Sequence, residues 1–288
     1  MKKGLVSIMT PCFNGEKYVE LLIHSILKQS YKNGMEFIFI DDGSTDNTES
    51  IVKKYKKDFE DKNIILKYIK QKNGGQASAI NNGLKYVEGE FIIWPDSDDY
   101  FENDAIETMV NFLNKNKEYN AVRANVAFRK DNTEKEIIEI RRSNNPQNTD
   151  LFLNYIIEED TYCFAGGVMM IKAQNFFKNN KGRNILVNRA GQNWQLILPA
   201  VYKSKTGYID KVVYNYLVRE GSHSRTKEKK LDVIKRMENH RKILRKTVSK
   251  IIDDKEEKKK YLKVIKDKYD KREKDYIKYI LKHLKEEQ

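Results

Sequence analysis

In the stretch FIIWPDSDDYF, residues 91–101, an apolar run empties into three carboxylates, Asp96, Asp98 and Asp99. Like charges packed this closely disfavour one another's ionised forms, so the cluster calls for a positive partner. A divalent cation suits the chemistry. Hard oxygen ligands match Mg2+ or Mn2+, and such ions often complete their shell with substrate phosphates, so one or two protein carboxylates suffice. Read as an extended segment, Asp96 and Asp98 point to one side, toward metal, water or a sugar hydroxyl, while Asp99 faces back into the protein. A polar loop whose aspartates cap the next helix explains the same residues without any chemistry.

Three other stretches carry polar groups of useful type. DDGSTDNT, residues 41–48, has Gly43 for a tight turn and Ser44 or Asp46 for a helix N-cap. Capping uses one acid, which leaves Asp42 to accept from a nucleotide base or ribose hydroxyl. REGSHS, residues 219–224, offers Arg219 as a phosphate fork, Ser222 and Ser224 as donors to phosphate oxygens, and His223 as a metal or phosphate ligand. A surface turn is its plainer reading. In GQNWQLILP, residues 191–199, Gln192 and Asn193 open a helix, either as caps or as groups that orient a substrate. Trp194 beside them either stacks on a sugar or packs in the core.

The elements that must position these residues follow from periodicity. Short apolar runs at Leu5–Met9, Glu36–Ile40, Ile64–Ile69 and Glu90–Trp94 alternate with helical spacing over Glu16–Gln29, Asp46–Tyr55, Gln76–Tyr86 and Asn103–Asn114. This predicts an α/β fold with a mainly parallel central sheet flanked by helices, whose ligands sit beyond the carboxyl ends of the strands. The polar turns lie there: TPCFNG, DDGSTDNT, KQKNGGQASAINNG and PDSDD each follow a strand. The second half is less regular. It predicts a charged, paired segment over Glu134–Arg142, a helix near Leu151–Ile157, a buried strand in CFAGGVMMIK, a helix over Gln192–Tyr202 and a strand over Gly207–Val218. From Arg225 the pattern is long charged helix with two apolar stripes, one through Leu244, Val248 and Ile251, the other through Leu262, Ile265 and Tyr269.

The order TPCFN, DDGSTD, NGGQASAINNG, DSDD, each after a strand, closely resembles the nucleotide-sugar-binding half of inverting family 2 glycosyltransferases, which have the GT-A fold. The motif order covers roughly residues 4–120 and extends loosely to about 225. The resemblance implies that Thr10, Pro11 and Phe13 line a nucleobase pocket, that Asp42 contacts base or ribose, and that Asn73 and Gly74 approach from the third turn. It places Asp96 on ribose or metal, Ser97 at the nucleotide sugar, Asp98 on Mn2+ or Mg2+ as the acid of a D-x-D signature, and Arg219, Ser222, Ser224 and His223 over the diphosphate. The implied donor is a nucleoside diphosphate sugar, a UDP-sugar foremost, and the acceptor a glycan or lipid-linked hydroxyl in surface polysaccharide or glycoconjugate synthesis. Two positions depart from the pattern. Ile80 stands where many relatives have a basic residue. Gln192 and Asn193 stand where an acidic pair is expected, and an amide has no basic lone pair to take the acceptor's proton. Glu158, Glu159, Asp160 or a donor phosphate oxygen are the remaining candidates for the base.

Bulk properties bound the rest. A chain of 288 residues, 39% hydrophobic, suffices for a large core, and no apolar stretch reaches the length of a membrane span. Cys12 and Cys163 show no disulfide or metal spacing, and a cytoplasmic protein with reduced thiols is expected, at most peripheral at the inner face of the membrane. The net charge of +13 is concentrated from Arg225 on, with 24 Lys/Arg against 13 Asp/Glu, where the preceding residues have 31 against 29. We therefore expect a catalytic domain over 1–225, with a nucleotide-sugar half (1–120) and an acceptor half (121–225), and a basic helical extension over 226–288. Nucleic acid binding through the tail is not expected, because no recognition motif accompanies the charge and the tyrosines fall on packing stripes. It stays open beside a metal-dependent nucleotidyltransferase, as do membrane contact through the tail and homo-oligomer formation.

Overall fold

The structure is a computed structural model that describes residues 1–131, 136–160, 165–188, 190–219 and 230–286. Four parallel strands make its first half: β1 (Lys2–Cys12), β2 (Met35–Asp41), β3 (Ile64–Lys70) and β4 (Gly89–Ile93), in the spatial order β3-β2-β1-β4. Helices α1 (Val19–Leu27), α2 (Thr48–Lys54), α3 (Lys56–Asp61) and α4 (Gln76–Leu84) connect them. Every residue of β2 is buried, as a strand covered on both faces must be.

Beyond β4 the sheet becomes mixed. The short β5 (Tyr100–Phe101) and helix α5 (Ala105–Lys115) lead to β6 (Tyr119–Lys130), β7 (Ile137–Arg141), α6 (Phe152–Ile157), β8 (Met169–Lys172), α7 (Ala173–Asn179), α8 (Gln192–Val201) and β9 (Lys205–Val218). β8 runs antiparallel between β4 and β6, β9 lies parallel to β6, and β5 and β7 pair antiparallel to β9 and β6. The parallel half matches the sequence reading, and the antiparallel half adds to it. β6 has no counterpart in the periodicity, because Arg123 and Asn125 interrupt its apolar run; both are buried and partnered, by Asp160 and Asp210.

Two apolar layers cover the sheet. One face holds α1, α3 and α5 through Leu22, Ile23, Phe59, Met109 and Leu113. The other holds α4, α6, α7 and α8, together with α9 (Lys230–Ile251) and α10 (Lys255–Glu286). Leu244, Val248 and Ile251 of α9 and Ile265 and Tyr269 of α10 are buried in that layer, with Leu262 partly buried against it, so the two apolar stripes pack into the same core as α4, α6, α7 and α8. Among the described residues no helix is long and apolar enough to cross a membrane.

The glycine pair predicted inside a strand forms instead a 3-10 turn, Gly166–Val168, just before β8. Both glycines are required by close approach. A Cβ on Gly166 would stand 2.0 Å from Trp94 Cδ1, and one on Gly167 would stand 2.0 Å from the Tyr214 ring. Gly166→Ala is therefore expected to destabilise the fold by about 1–3 kcal/mol through overpacking, read as a fall in the midpoint of urea unfolding. An unchanged midpoint would mean that Trp94 can move aside without cost.

Candidate active site

The acidic cluster leaves β4 through Trp94 and Pro95 and then turns, with Asp99 N–H reaching back to the Asp96 carbonyl at 3.4 Å. The segment is thus not extended, as its alternation suggested; anchoring of Asp99 in β9 bends it. Tyr214 Oη donates to Asp99 Oδ2 at 3.0 Å and accepts from Asp96 N–H at 3.1 Å, while Leu217 N–H donates to Asp99 Oδ1 at 2.9 Å. Burial, then the neighbouring charges of Asp98 and Asp96, hold the Asp99 carboxyl well above the usual carboxylate range. Asp99 faces the protein, as expected, and locks the turn.

Asp96 and Asp98 are only half-buried. Burial and the charge of Asp98 push the Asp96 carboxyl up to about 7, with Arg219 pulling the other way. Arg219 forms an ion pair with Asp98 and lies over the Tyr18 ring, 5.0 Å from its centroid. Its Nε is buried with no acceptor among the described residues. Among the described residues no group of three or more His, Cys, Asp or Glu side chains is placed to hold a metal. Two carboxylates short of counter-charge fit an ion that draws its other ligands from phosphates and water. Ser222, His223 and Ser224 lie outside the described residues, as does Cys163.

A second group of turns is built at the first three parallel strand ends. Asp42 is buried, and its carboxylate accepts from Gly74 N–H (2.9 Å), Gly75 N–H (2.8 Å) and Gln71 Nε2 (2.7 Å). It therefore shapes the turn that carries Asn73 and Gly74, a use the sequence did not reveal. Gly43 adopts φ +79°, and a Cβ there would meet the Asn73 backbone nitrogen at 2.7 Å, so the two turns touch. Asn73, Gly74 and Phe13 are exposed, Pro11 is half-buried, and Thr10 is fully buried with no partner for its Oγ1 among the described residues. Gln76, at the start of α4, donates to Asp96 Oδ1 at 3.3 Å and joins this turn to the acidic one. Burial pushes the Cys12 thiol up to about 12, against a smaller opposing effect of Ser97, so it packs as an uncharged group. Ile80, one of the two expected departures from the family pattern, is buried in the core.

The third region lies behind Trp94. Trp94 Nε1 donates to Asn193 Oδ1 at 3.0 Å, and Gln192 Nε2 donates to the Asn188 carbonyl at 3.0 Å. Trp194 is buried and donates to the Tyr155 carbonyl at 3.0 Å, so packing is its first role. Asn193 and Trp194 line a cavity of about 410 Å³ with Glu158, Gly191, Gln192, Arg236, Met237, His240, Tyr269 and Arg272. Two of the three carboxylates that are candidates for the base are held in ion pairs. Glu158 meets Lys268 at 2.6 Å and Arg272 at 2.8 Å, and Asp160 meets Arg123 at 2.7 Å. Burial opposes ionisation of both, but these partners outweigh it and hold both carboxyls below their usual values. Glu159 is exposed. His240, Arg236 and Arg272 were invisible in sequence because the tail reads as a packing stripe with a solvated face; only the fold brings α9 and α10 to Asn193.

A sheet of this topology, with acidic and glycine-rich turns at its parallel strand ends, defines an α/β fold of GT-A type. The chain belongs to glycosyl transferase family 2, whose model matches residues 7–176. An uncharacterized glycosyltransferase of Rickettsia typhi is 42% identical over 111 residues, 38% of this chain and 32% of that protein. The poly(ribitol-phosphate) beta-N-acetylglucosaminyltransferase TarS of Staphylococcus aureus is 34% identical over 110 residues, 38% of this chain and 19% of that protein. The matched stretch thus spans a third or less of these two relatives. The crystal structure of TarS 1–349 in complex with UDP-GlcNAc superposes with a TM-score of 0.68 at 22% identity, covering 92% of this chain and 72% of that one. The mannosyltransferase PcManGT from Pyrobaculum calidifontis, in complex with GDP-Man and Mn2+, superposes with a TM-score of 0.55 at 19% identity, covering 86% of this chain and 64% of that one. At such identities the likeness is one of fold.

Proposed function

We propose that this chain transfers a sugar, with inversion, from a nucleoside diphosphate sugar to a hydroxyl of a carbohydrate or lipid-linked acceptor, in the synthesis of a surface polysaccharide or glycoconjugate. One observation carries the reading: Asp96, Asp98 and Arg219 converge beyond β4, joined through Gln76 to the turn that Asp42 shapes. Family membership and the UDP-GlcNAc held by TarS support it, with a UDP-sugar as the first donor to test.

In this proposal Thr10, Pro11 and Phe13 shape the nucleobase pocket, and Asp42 acts by holding Asn73 and Gly74 against the nucleotide. Asp98, assisted by Asp96, would hold Mn2+ or Mg2+, which when bound neutralises the diphosphate and eases departure of the nucleoside diphosphate. Arg219 leaves Asp98 for a phosphate oxygen and brings its buried Nε to a charge-assisted hydrogen bond. Asn193 positions rather than deprotonates, since its Oδ1 is held by the Trp94 indole N–H. Residues 1–225 supply this chemistry, and the helices of 226–288 complete its acceptor side.

The test is a donor panel: the full chain with Mn2+ or Mg2+, several nucleotide sugars, and free nucleoside diphosphate as the readout. Release from one UDP-sugar above the rest is expected. Release of a sugar 1-phosphate instead would favour nucleotidyl transfer, and no release from any donor would end the proposal. Asn193→Ala is expected to strand the Trp94 indole donor, cost about 1–3 kcal/mol of stability, and lower turnover less than Asp98→Ala does. Urea unfolding and initial rates together check it; equal losses of turnover would give Asn193 a direct part in the chemistry.

A further inference from the structure

We infer that Arg219 is a built-in counter-ion of the acidic turn, which competes with a divalent cation for Asp98 and is held at that post by Tyr18. The inference rests on the proposed metal role of Asp98 and goes beyond it by giving the ion a rival within the chain.

The rival sits on the carboxylate itself. Nη2 of Arg219 pairs with Oδ2 of Asp98. A guanidinium there neutralises the charge that a hard cation seeks, so the two positive groups exclude one another. The pair is also of a kind that yields. Both side chains are only half-buried, and Arg219 Nε has no acceptor among the described residues, so the planar fork of donors is not fully used. A deeply buried, fully satisfied pair would shut the metal out, and a fully exposed one would hardly delay it. The chain holds the intermediate case, in which a cation displaces the arginine at a moderate cost.

Tyr18 is what keeps the guanidinium there. Its ring centroid lies 5.0 Å from the Arg219 guanidinium carbon, within the range of a cation–π contact. The tyrosine is itself fixed. Its Oη donates to Asp131 Oδ2 at 2.7 Å, and Asp131 N–H donates to the Val218 carbonyl at 3.3 Å. Tyr18 precedes α1, Asp131 follows β6, and Val218 ends β9 just before Arg219. Segments far apart in sequence thus brace one guanidinium from the side away from the turn it neutralises. Lys17 supplies a comparison within the same cluster. Its Nζ lies 4.8 Å from the centroid of the same ring, but its carboxylate partner is Asp131, at 3.6 Å.

Equilibrium binding of Mn2+ to the full chain, read from the electron paramagnetic resonance of the free ion, tests this with no donor and no turnover. Arg219→Gln is expected to tighten Mn2+ binding about tenfold, the scale of a partly exposed ion pair together with a cation–π contact. Removing any positive charge nearby would also favour a cation, so two further variants separate competition from a general field. Lys17→Gln removes a charge from the same ring, on a side chain 71% exposed, and should stay within about twofold of the unaltered chain. Tyr18→Leu alters no charge and should tighten binding about threefold, because Arg219 loses its platform. Tyr18→Phe keeps the ring without the Asp131 bond and should tighten it less. Asp98→Ala should lose Mn2+ binding whether or not Arg219 is replaced. Unchanged affinity in Arg219→Gln, an equal gain in Lys17→Gln, or no gain in Tyr18→Leu would each overturn the inference, while binding that still needs Asp98 would leave the metal reading standing. Binding that ignores Asp98→Ala, or no binding in any variant, would remove the metal reading and the inference with it.

Discussion

Asp98→Ala is expected to reduce nucleoside diphosphate release at least about 100-fold, the scale seen when a group that stabilises developing charge is removed. The argument is local. Asp98 is the acid of the turn that meets Arg219, its side chain is 20% exposed, and among the described residues no backbone hydrogen bond to its carboxylate is seen. Its neighbour Asp99 does the anchoring, through Tyr214 and Leu217. The variant should therefore keep its urea midpoint while losing activity, a separation that Asp99→Ala would not show. A second consequence concerns Asp96. Its carboxyl stands near 7 partly because Asp98 is charged, so the variant should relieve that part and leave burial as the remaining cause. Initial rates against Mn2+ concentration should be flat in Asp98→Ala and saturating in the unaltered chain. Unchanged turnover would remove Asp98 from the diphosphate site, and with it the reading of the acidic turn.

The parallel half was legible because each of its elements speaks through one signal. Strands β1 to β4 are short apolar runs, α1 and α4 are periodic, and a polar turn follows each strand. What the pattern could not carry was partnership. Asp42 reads as a free acid at a strand end, yet three donors from residues 71–75 occupy it. Asp96 and Asp98 read as alternating side chains until Asp99 is pulled into β9. Arg123 and Asn125 break the apolar run of the central strand β6, so periodicity does not reveal it, although a buried arginine is tolerable wherever a carboxylate meets it. The cavity was illegible for a related reason. Arg236, His240 and Arg272 lie more than 40 residues beyond Asn193 in sequence, and nothing local says that a helix carrying them folds back onto α8.

Asp160→Asn is expected to cost about 3–5 kcal/mol, the usual scale when one partner of a buried ion pair is removed. Arg123 is 1% exposed on the central strand, and its Nη1 and Nη2 reach the Asp160 carbonyl and Oδ2 at 2.7 Å each. The carboxylate also accepts from Ser143 Oγ at 2.8 Å and Asn144 N–H at 2.7 Å, so it pins the connector after β7 to β6. Asparagine keeps the size, and it tolerates the left-handed backbone, φ +50°, that Asp160 adopts. The loss would therefore report the charge and not the shape. Its pH dependence has a fixed sign. Burial opposes ionisation, but Arg123, Ser143 and Asn144 outweigh it and lower the carboxyl. A group lowered in the folded state contributes fully above its unfolded value, and that contribution is lost as pH falls through the folded one. The unaltered chain should thus lose stability steeply in acid, and Asp160→Asn should show a shallower acid limb from a lower plateau. Arg123→Met alone leaves a buried carboxylate and should be similarly costly, while the double variant should recover part of the loss. Denaturant unfolding at pH 7 and through the acid range measures all four corners of the cycle. A cost under about 1 kcal/mol, the range of exposed pairs, would mean that the pair is solvated. Turnover per folded molecule that survives in Asp160→Asn would also place Asp160 in the scaffold and outside the search for the base.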